Sequence, residues 1–193
     1  MTTGTTVLGY PRIGPRRELK RAVESYWAGE IDARTLAEVG RHIRIETWRD
    51  LTEAGLAVLP GNTFSYYDHV LDTAAMVGAL PRRVRDLGLA PLDTMFAAAR
   101  GTDEVAPLEM TKWFDTNYHY LVPELGPHTR FGLDATGVLA DLAEAKALGL
   151  DTRPVLLGPV TFLLLAKPTV AGFEPLHLLE PLLEVYAELL ARC

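Results

Sequence analysis

Within residues 9–20, called the basic segment below, the sequence places four cations: Arg12, Arg16, Arg17 and Lys20. Arg17 and Lys20 are three positions apart where strong helix formers begin, so we expect them on one face of a helix. The unpaired amide groups at a helix start add positive potential at the same place. This combination suits a carboxylate or a phosphate group as ligand.

The same spacing also fits an ordinary solvated helix face. Glu18 and Glu24 are placed to pair with the cations, and runs of charge are usually only surface, so spacing alone favours this alternative. The segment is not a phosphate-binding P-loop, because Gly9 and Gly14 are not followed by the Gly-Lys-Ser/Thr ending.

A second group of residues that could form a site occupies residues 110–120, which are dense in aromatic and hydrogen-bonding side chains. Lys112 is the member most suited to bind an anion. The alternative is a packed loop whose aromatic side chains have satisfied polar tips.

Metal-binding and nucleophilic sites are not indicated. Asp68, His69 and Asp72 invite a metal interpretation, but acids at a helix start are favoured by capping and by the helix dipole. The single cysteine, Cys193, allows no intrachain disulfide and no cysteine-based zinc site, which fits a reducing compartment. No serine or cysteine stands in a recognisable nucleophile motif.

The bulk composition excludes several classes of protein. With 193 residues, 48% hydrophobic and 23% charged, the chain is typical of a soluble globular protein. A net charge of −6 argues against nucleic acid as a partner. The longest apolar stretch, residues 154–166, is too short to cross a membrane, which takes about 20 residues. Residues 1–6 do not resemble a signal peptide, and we expect a cytoplasmic protein.

The elements that must position these side chains alternate between strands and helices. We predict strands at residues 5–9, 57–60, 121–123 and 153–159. Asp32 is expected to cap a helix that ends at Gly55. The other predicted helices cover residues 16–28, 67–74, 92–100, 134–149, 159–166 and 178–190.

Four strands alternating with helices predict an α/β protein with a parallel sheet. The sheet is either a complete open one or half of an eight-stranded barrel, which takes about 250 residues. The last predicted helix meets no stop signal before Cys193, and this favours the interrupted barrel. Unpaired strand edges would then promote association.

Four blocks of sequence carry a resemblance to a known family. They are residues 9–14 with 17–20, residues 67–71, residues 110–114 with 117–120, and residues 154–161. In this order and at this spacing they resemble the cobalamin-independent methionine synthases.

The resemblance implies a fold and an activity. Members of the family contain two (β/α)8 barrels and transfer a methyl group from 5-methyltetrahydropteroyltri-glutamate to homocysteine. Residues 1–193 would form the first half of the amino-terminal barrel, truncated, with the carboxyl-terminal catalytic barrel absent. The chain would be a methyltransferase by family and, alone, an inactive amino-terminal fragment. The alternative is a free-standing, non-catalytic pteroylpolyglutamate-binding module.

The resemblance also assigns roles to residues. No catalytic or metal-binding residue is expected in this chain, because the zinc ligands of the family, which are His, Cys and Glu, lie in the second barrel; cobalamin is not used. Homocysteine would bind only with that second barrel. The folate polyglutamate would be bound by Arg17, Glu18, Leu19, Lys20 and Lys112, with Arg16, Trp113, Asn117 and His119 as further candidates.

Overall fold

A computed structural model describes residues 4–193. These residues form two compact units. The first unit contains the described residues up to Tyr66 together with Val138–Leu156. The second unit contains Tyr67–Gly137 and Leu157–Cys193.

The described residues form α-helices and short β-strands in a mixed α/β arrangement. The helices are α1 (Glu18–Trp27), α2 (Ala33–Glu53), α3 (His69–Met76), α4 (Arg82–Arg85), α5 (Pro91–Arg100), α6 (Thr136–Ala147), α7 (Pro159–Leu165) and α8 (Leu179–Arg192). A 3-10 turn, Pro175–Leu178, precedes α8. The strands are β1 (Leu59–Gly61), β2 (Met110–Lys112), β3 (His119–Leu121), β4 (Glu124–Leu125), β5 (Thr152–Pro154) and β6 (Lys167–Pro168).

In the first unit, α1 packs on α2, and α2 packs against β1. Strand β1 pairs in parallel with β5, so that Leu59 lies opposite Thr152. Trp48 of α2 is buried in the core of this unit and donates from its indole nitrogen to the carbonyl of Pro60, at 3.1 Å. This bond fixes α2 to the strand that leads toward the loop at Asn62.

Helix α2 begins and ends where its sequence predicts. The carboxylate of Asp32 accepts a hydrogen bond from the backbone of Thr35 at 2.8 Å, which satisfies an amide that the helix cannot pair. Gly55 follows the last turn with a φ of 82°, a conformation that favours glycine. The apolar side chains that recur along α2 face the core: Leu36, Ile43, Trp48 and Leu51 are buried, and Val39 is half-buried.

In the second unit, β2 and β3 form an antiparallel hairpin, and β4 pairs in parallel with β6. Helix α3 packs against β3 and α5, and α7 packs against α8. The core of this unit includes fully buried apolar side chains from α3, β3, α7 and α8: Leu71, Leu121, Phe162, Leu182 and Leu189.

Glu124 joins three elements of the second unit through its carboxylate. Its oxygens lie 2.5 and 3.1 Å from the guanidinium nitrogens of Arg83 in α4, a bidentate arrangement. The ammonium of Lys167 in β6 lies 3.7 Å away. The hydrogen bond from Arg83 is the main cause that lowers the pKa of Glu124.

Two of the strand predictions are wrong. Residues 5–9 form no strand, because the carbonyl of Thr5 accepts from both Ala57 and Val58, at 3.1 and 3.2 Å, instead of alternating residues building a ladder. The third predicted parallel strand, at residues 121–123, is replaced by the antiparallel hairpin, whose two strands are close enough in sequence to pair locally.

The other two strands form, but β1 and β5 are shorter than predicted. Strand pairing is therefore divided among three two-stranded sheets among the described residues. Half of a (β/α)8 barrel stays a prediction. No helix within residues 4–193 is both long and apolar enough to cross a membrane.

Replacing Asp32 with alanine tests the cap of α2. Asp32→Ala leaves the Thr35 amide without its acceptor, and we expect the free energy of unfolding of the first unit to fall by about 1 kcal/mol. Urea unfolding followed by circular dichroism measures it. Asp32→Asn keeps the acceptor and should stay near wild type; equal losses in the two variants would contradict the cap.

The ion pairs of Glu124 predict sensitivity to acid. Because its pKa in the folded protein lies below the ordinary 4.5, Glu124 stabilises the fold above about pH 4.5, and this stabilisation is lost as the pH falls through the folded pKa. The urea midpoint of the wild type should therefore drop more steeply below about pH 5 than that of Glu124→Gln. Glu104→Gln, at an exposed loop position, is the control and should drop like the wild type.

Candidate functional site

The basic segment is an irregular loop that turns sharply into α1. The backbone amide of Arg17 donates to the carbonyl of Gly14 at 3.0 Å, and that of Leu19 donates to Ile13 at 3.2 Å. Leu19 is 4% exposed and lies in the core, which fixes the first turn of the helix to the first unit. Its side chain is therefore not available to a ligand, unlike those of its charged neighbours.

Glu18 organises the loop. One carboxylate oxygen accepts from the backbone amide of Arg16 at 2.9 Å, and the other lies 3.1 Å from the Arg16 guanidinium. The pKa of Glu18 is lowered, first by the hydrogen bond from its own backbone amide and then by the bonds from Arg16. Gly14, with a φ of 79°, has no room for a Cβ, since that atom would overlap the Glu18 carboxylate. Glu18 thus holds both the backbone and the guanidinium of Arg16 in place.

Arg17 is the cation of this loop that has no ion-pair partner among the described residues. It adopts the left-handed conformation, with φ 62° and ψ 38°, which costs a residue with a side chain roughly 1–2 kcal/mol. Among the residues that the structure describes, its guanidinium has no partner. Strained backbone that presents an unpaired charge is typical of a binding site.

Lys20 and Arg16 are less distinctive, because both are paired. The ammonium of Lys20 lies 3.1 Å from Glu24 one turn along α1, with both side chains about half exposed. Arg16 pairs with Glu18, so the two ion pairs expected of an ordinary surface are both present. Exposed pairs of this kind contribute little energy, and an anionic ligand can displace the carboxylate of Glu24 at little cost.

Tyr10 and Arg12 attach the start of the basic segment to the rest of the first unit. The Tyr10 hydroxyl donates to Asp50 at 3.0 Å, and Arg12 Nε donates to the carbonyl of Ser65 at 3.1 Å. Both side chains line a small cleft whose floor includes Arg44 and Asp141. Arg12 therefore has a structural partner and is not an additional free cation.

A partly buried charge cluster at this cleft was not predicted from the sequence. Arg44 of α2 lies 3.2 Å from the Asp141 carboxylate and 2.5 Å from that of Glu144, both on α6. Burial raises the pKa of Asp141, although the backbone amide of Asn62 donates to it. These partners are about 80 to 100 residues apart in sequence, which periodicity does not reveal.

The β2–β3 hairpin carries the second group of predicted site residues. Lys112 lies directly opposite His119, and directly opposite side chains of an antiparallel pair project from the same face. Both are exposed, and the Lys112 ammonium has no partner among the described residues. His119 Nδ1 lies 3.0 Å from the carbonyl of Asn117, whose own side chain is exposed in the turn. This face of the hairpin can bind an anion.

The opposite face of the hairpin is aromatic. The ring of half-buried Trp113 meets those of Phe114, Tyr118 and Tyr120 edge to face, with centroids 5.6, 6.3 and 5.9 Å away. Phe114 is 72% exposed and has a φ of 50°, unusual for a bulky residue. Trp113 therefore packs against other aromatic residues of the hairpin, and its contact with a ligand stays a prediction.

The carboxylate of Asp68 accepts hydrogen bonds that attach this hairpin to the start of α3. Asp68 caps α3, as predicted, by accepting from the amide of Leu71 at 2.9 Å. It also accepts from the amide of Leu121 at 3.1 Å and from the hydroxyl of Tyr118 at 3.0 Å, both in the hairpin. The helix predicted over residues 67–74 begins after this cap, so Tyr67 lies outside it. The link to the hairpin was missed by sequence reasoning.

The predicted site residues therefore fall into two groups. Arg16, Arg17, Glu18 and Lys20 are together in the first unit, whereas Lys112, Trp113, Asn117 and His119 are together in the second.

Neither unit fits the zinc ion that the resemblance implies for full-length family members. No three His, Cys, Asp or Glu side chains within residues 4–193 are grouped to hold a metal ion.

Comparison with known proteins identifies relatives along nearly the whole chain. It is 61% identical over 187 residues to a 5-methyltetrahydropteroyltriglutamate–homocysteine methyltransferase of Rhodococcus jostii, covering 97% of this chain and 25% of the relative. Proteins of the same name from Streptomyces coelicolor and Mycobacterium tuberculosis are 61% and 58% identical, over 96% of this chain and 24% of each relative. The chain thus spans about a quarter of the length of these relatives.

The family model described as the amino-terminal domain of the cobalamin-independent synthases matches residues 4–193. This agrees with the resemblance that the four sequence blocks indicate. Because the match takes in every described residue, the chain belongs to the cobalamin-independent synthase family, in the region of its amino-terminal domain.

Proposed function

We propose that this chain contributes the folate-polyglutamate-binding part of a methyltransferase that makes methionine from 5-methyltetrahydropteroyltri-glutamate and homocysteine. The observation that carries the proposal is the identity of about 60% to relatives that bear this activity in their name. The exposed, unpaired cations Arg17 and Lys112 supply the chemistry that a ligand with several carboxylates needs.

The three cations Arg17, Lys112 and Lys20 would bind a carboxylate in different ways. The guanidinium of Arg17 can form two parallel hydrogen bonds to one carboxylate, whereas the ammonium of Lys112 acts as a point charge. Lys20 would exchange its exposed partner Glu24 for the ligand, which makes its contribution smaller. Glu18 holds Arg16 and the loop in place, and a direct contact between Glu18 and the ligand stays a prediction.

Methyl transfer itself needs a sulfur nucleophile, and zinc, when bound in the full-length enzyme, would lower the pKa of the homocysteine thiol. The residues described here do not form a site for that ion. We therefore assign to this chain the binding and orientation of the folate, and to other parts of a full-length enzyme the activation of the thiol. We further propose that the protein is cytoplasmic and that this chain forms part of a (β/α)8 barrel.

Binding of methyl-folate with one or three glutamates tests the proposed site. We expect calorimetry to show tighter binding of the triglutamate, weakening as salt is added. Arg17→Gly and Lys112→Ala should each weaken triglutamate binding about tenfold and leave monoglutamate binding nearly unchanged, since each removes a charge-assisted hydrogen bond.

Matched controls separate these losses from general changes in charge. Arg34→Ala and Arg82→Ala each remove an exposed cation from a helical ion pair, one in each unit, and should bind the triglutamate like the wild type. Arg17→Gly also relieves the left-handed backbone, so its unfolding free energy should not fall. Undiminished triglutamate affinity in Arg17→Gly and Lys112→Ala would overturn the assignment of the site.

Turnover by the chain alone tests the division of labour. Incubated with 5-methyltetrahydropteroyltri-glutamate, homocysteine and zinc, the chain should form no methionine. The reason is that residues 4–193 contain no group of side chains that could hold the zinc ion that activates the thiol. The product can be quantified by mass spectrometry, with the enzyme of one of the relatives as a positive control. Sustained methionine formation by the chain would contradict the proposal.

A further inference from the structure

The carboxylate of Asp68 has more partners than a helix cap requires. One oxygen accepts from the amides of Leu71 and Leu121, and the other accepts from the Tyr118 hydroxyl, all at 2.9–3.1 Å. Asp68 is only 1% exposed, and a buried carboxylate is costly unless donors surround it. Two of its three donors belong to the hairpin, so Asp68 attaches the hairpin to the start of α3 as well as capping that helix.

The two hairpin donors bracket the residue that faces Lys112. Tyr118 immediately precedes His119, and Leu121 follows it by two positions. His119 is the cross-strand neighbour of Lys112. Strand β3 pairs with β2, which carries Lys112. Any movement of β3 away from Asp68 would therefore also displace Lys112.

The hairpin needs such an anchor because its own ladder is short. Strands β2 and β3 have three residues each, and a two-stranded hairpin is at best marginally stable in water by itself. The Tyr120 hydroxyl provides a further attachment, donating to the carbonyl of Leu165 at 3.1 Å. Phe114 at the tip and the cross-strand pair Lys112 and His119 remain exposed.

We propose that Asp68 is a positioning residue for ligand binding: it sets the β2–β3 hairpin so that Lys112 meets an anionic group of the ligand. This inference rests on the proposed function, since it takes the glutamate tail as the ligand of Lys112. Asp68 does not touch the ligand; its effect passes through Tyr118, Leu121 and the backbone of β3.

Two substitutions at Asp68 separate the cap from the anchor. Asp68→Ser retains an oxygen for the amide of Leu71, because serine is a good helix cap, but it is too short to reach the hairpin. Asp68→Asn retains one oxygen for both amides and presents an NH₂ group that can donate to the Tyr118 oxygen. Tyr118→Phe removes one hairpin bond and leaves the cap intact.

The experiment is calorimetry of the chain with the triglutamate, after circular dichroism has shown each variant to be folded. We expect Asp68→Ser to weaken binding about tenfold, like Lys112→Ala, and Tyr118→Phe to weaken it about threefold. Asp68→Asn should bind like the wild type. The double variant Asp68→Ser/Lys112→Ala should bind no more weakly than Lys112→Ala alone, because both changes remove the same interaction.

Failure of this inference and failure of the proposed function give different results. If Lys112→Ala weakens binding while Asp68→Ser and Tyr118→Phe do not, the positioning role is wrong and the proposed function stands. Additive losses in the double variant would likewise show that Asp68 stabilises the fold without serving Lys112. If the wild type does not prefer the triglutamate, the proposed function fails, and the inference fails with it.

Discussion

Backbone amides at the ends of short elements must find acceptors, and in this chain carboxylates provide many of them. The strands are two or three residues long, so ladders satisfy few of these groups. Asp32 and Asp134 accept from the amides of Thr35 and Thr136, which lie at helix starts. Other carboxylates serve the irregular segments in the same way: Glu18 in the basic segment, Asp68 at the hairpin and Asp141 at the loop after β1.

This constraint explains how a chain with a net charge of −6 can present positive groups to a ligand. A carboxylate that accepts from a backbone amide is held in place, so it can pair only with the cations that the fold brings within its reach. Glu18 pairs with Arg16 and not with Arg17, and buried Asp68 forms no ion pair with exposed Lys112. In each unit, acidic residues thereby position a segment that presents an exposed cation.

Lys20 and Arg17 show why ion pairs alone do not distinguish a binding site from an ordinary charged surface. Lys20 has the partner that a plain helix face would give it, and only its exposure makes exchange for a ligand easy. Arg17 is different, because its backbone is strained and its guanidinium is unpaired among the described residues. Under the proposed function, the carboxylates of a polyglutamate tail would bind the charge that this strained backbone presents.

The sequence by itself determined the family and the local features: the motif blocks, the caps at Asp32 and Asp68, and the end of α2 at Gly55. Capping and helical periodicity depend on residues within a few positions, so sequence reasoning finds them. Only the tertiary structure decided that residues 5–9 form no strand, that β2 and β3 form an antiparallel hairpin, and that Arg17 is left-handed. It also revealed the bonds from Tyr118 and Leu121 to Asp68, which join residues 50 and 53 positions apart. Strand pairing and buried hydrogen bonds depend on which distant segments meet, and the packing of the folded chain determines this.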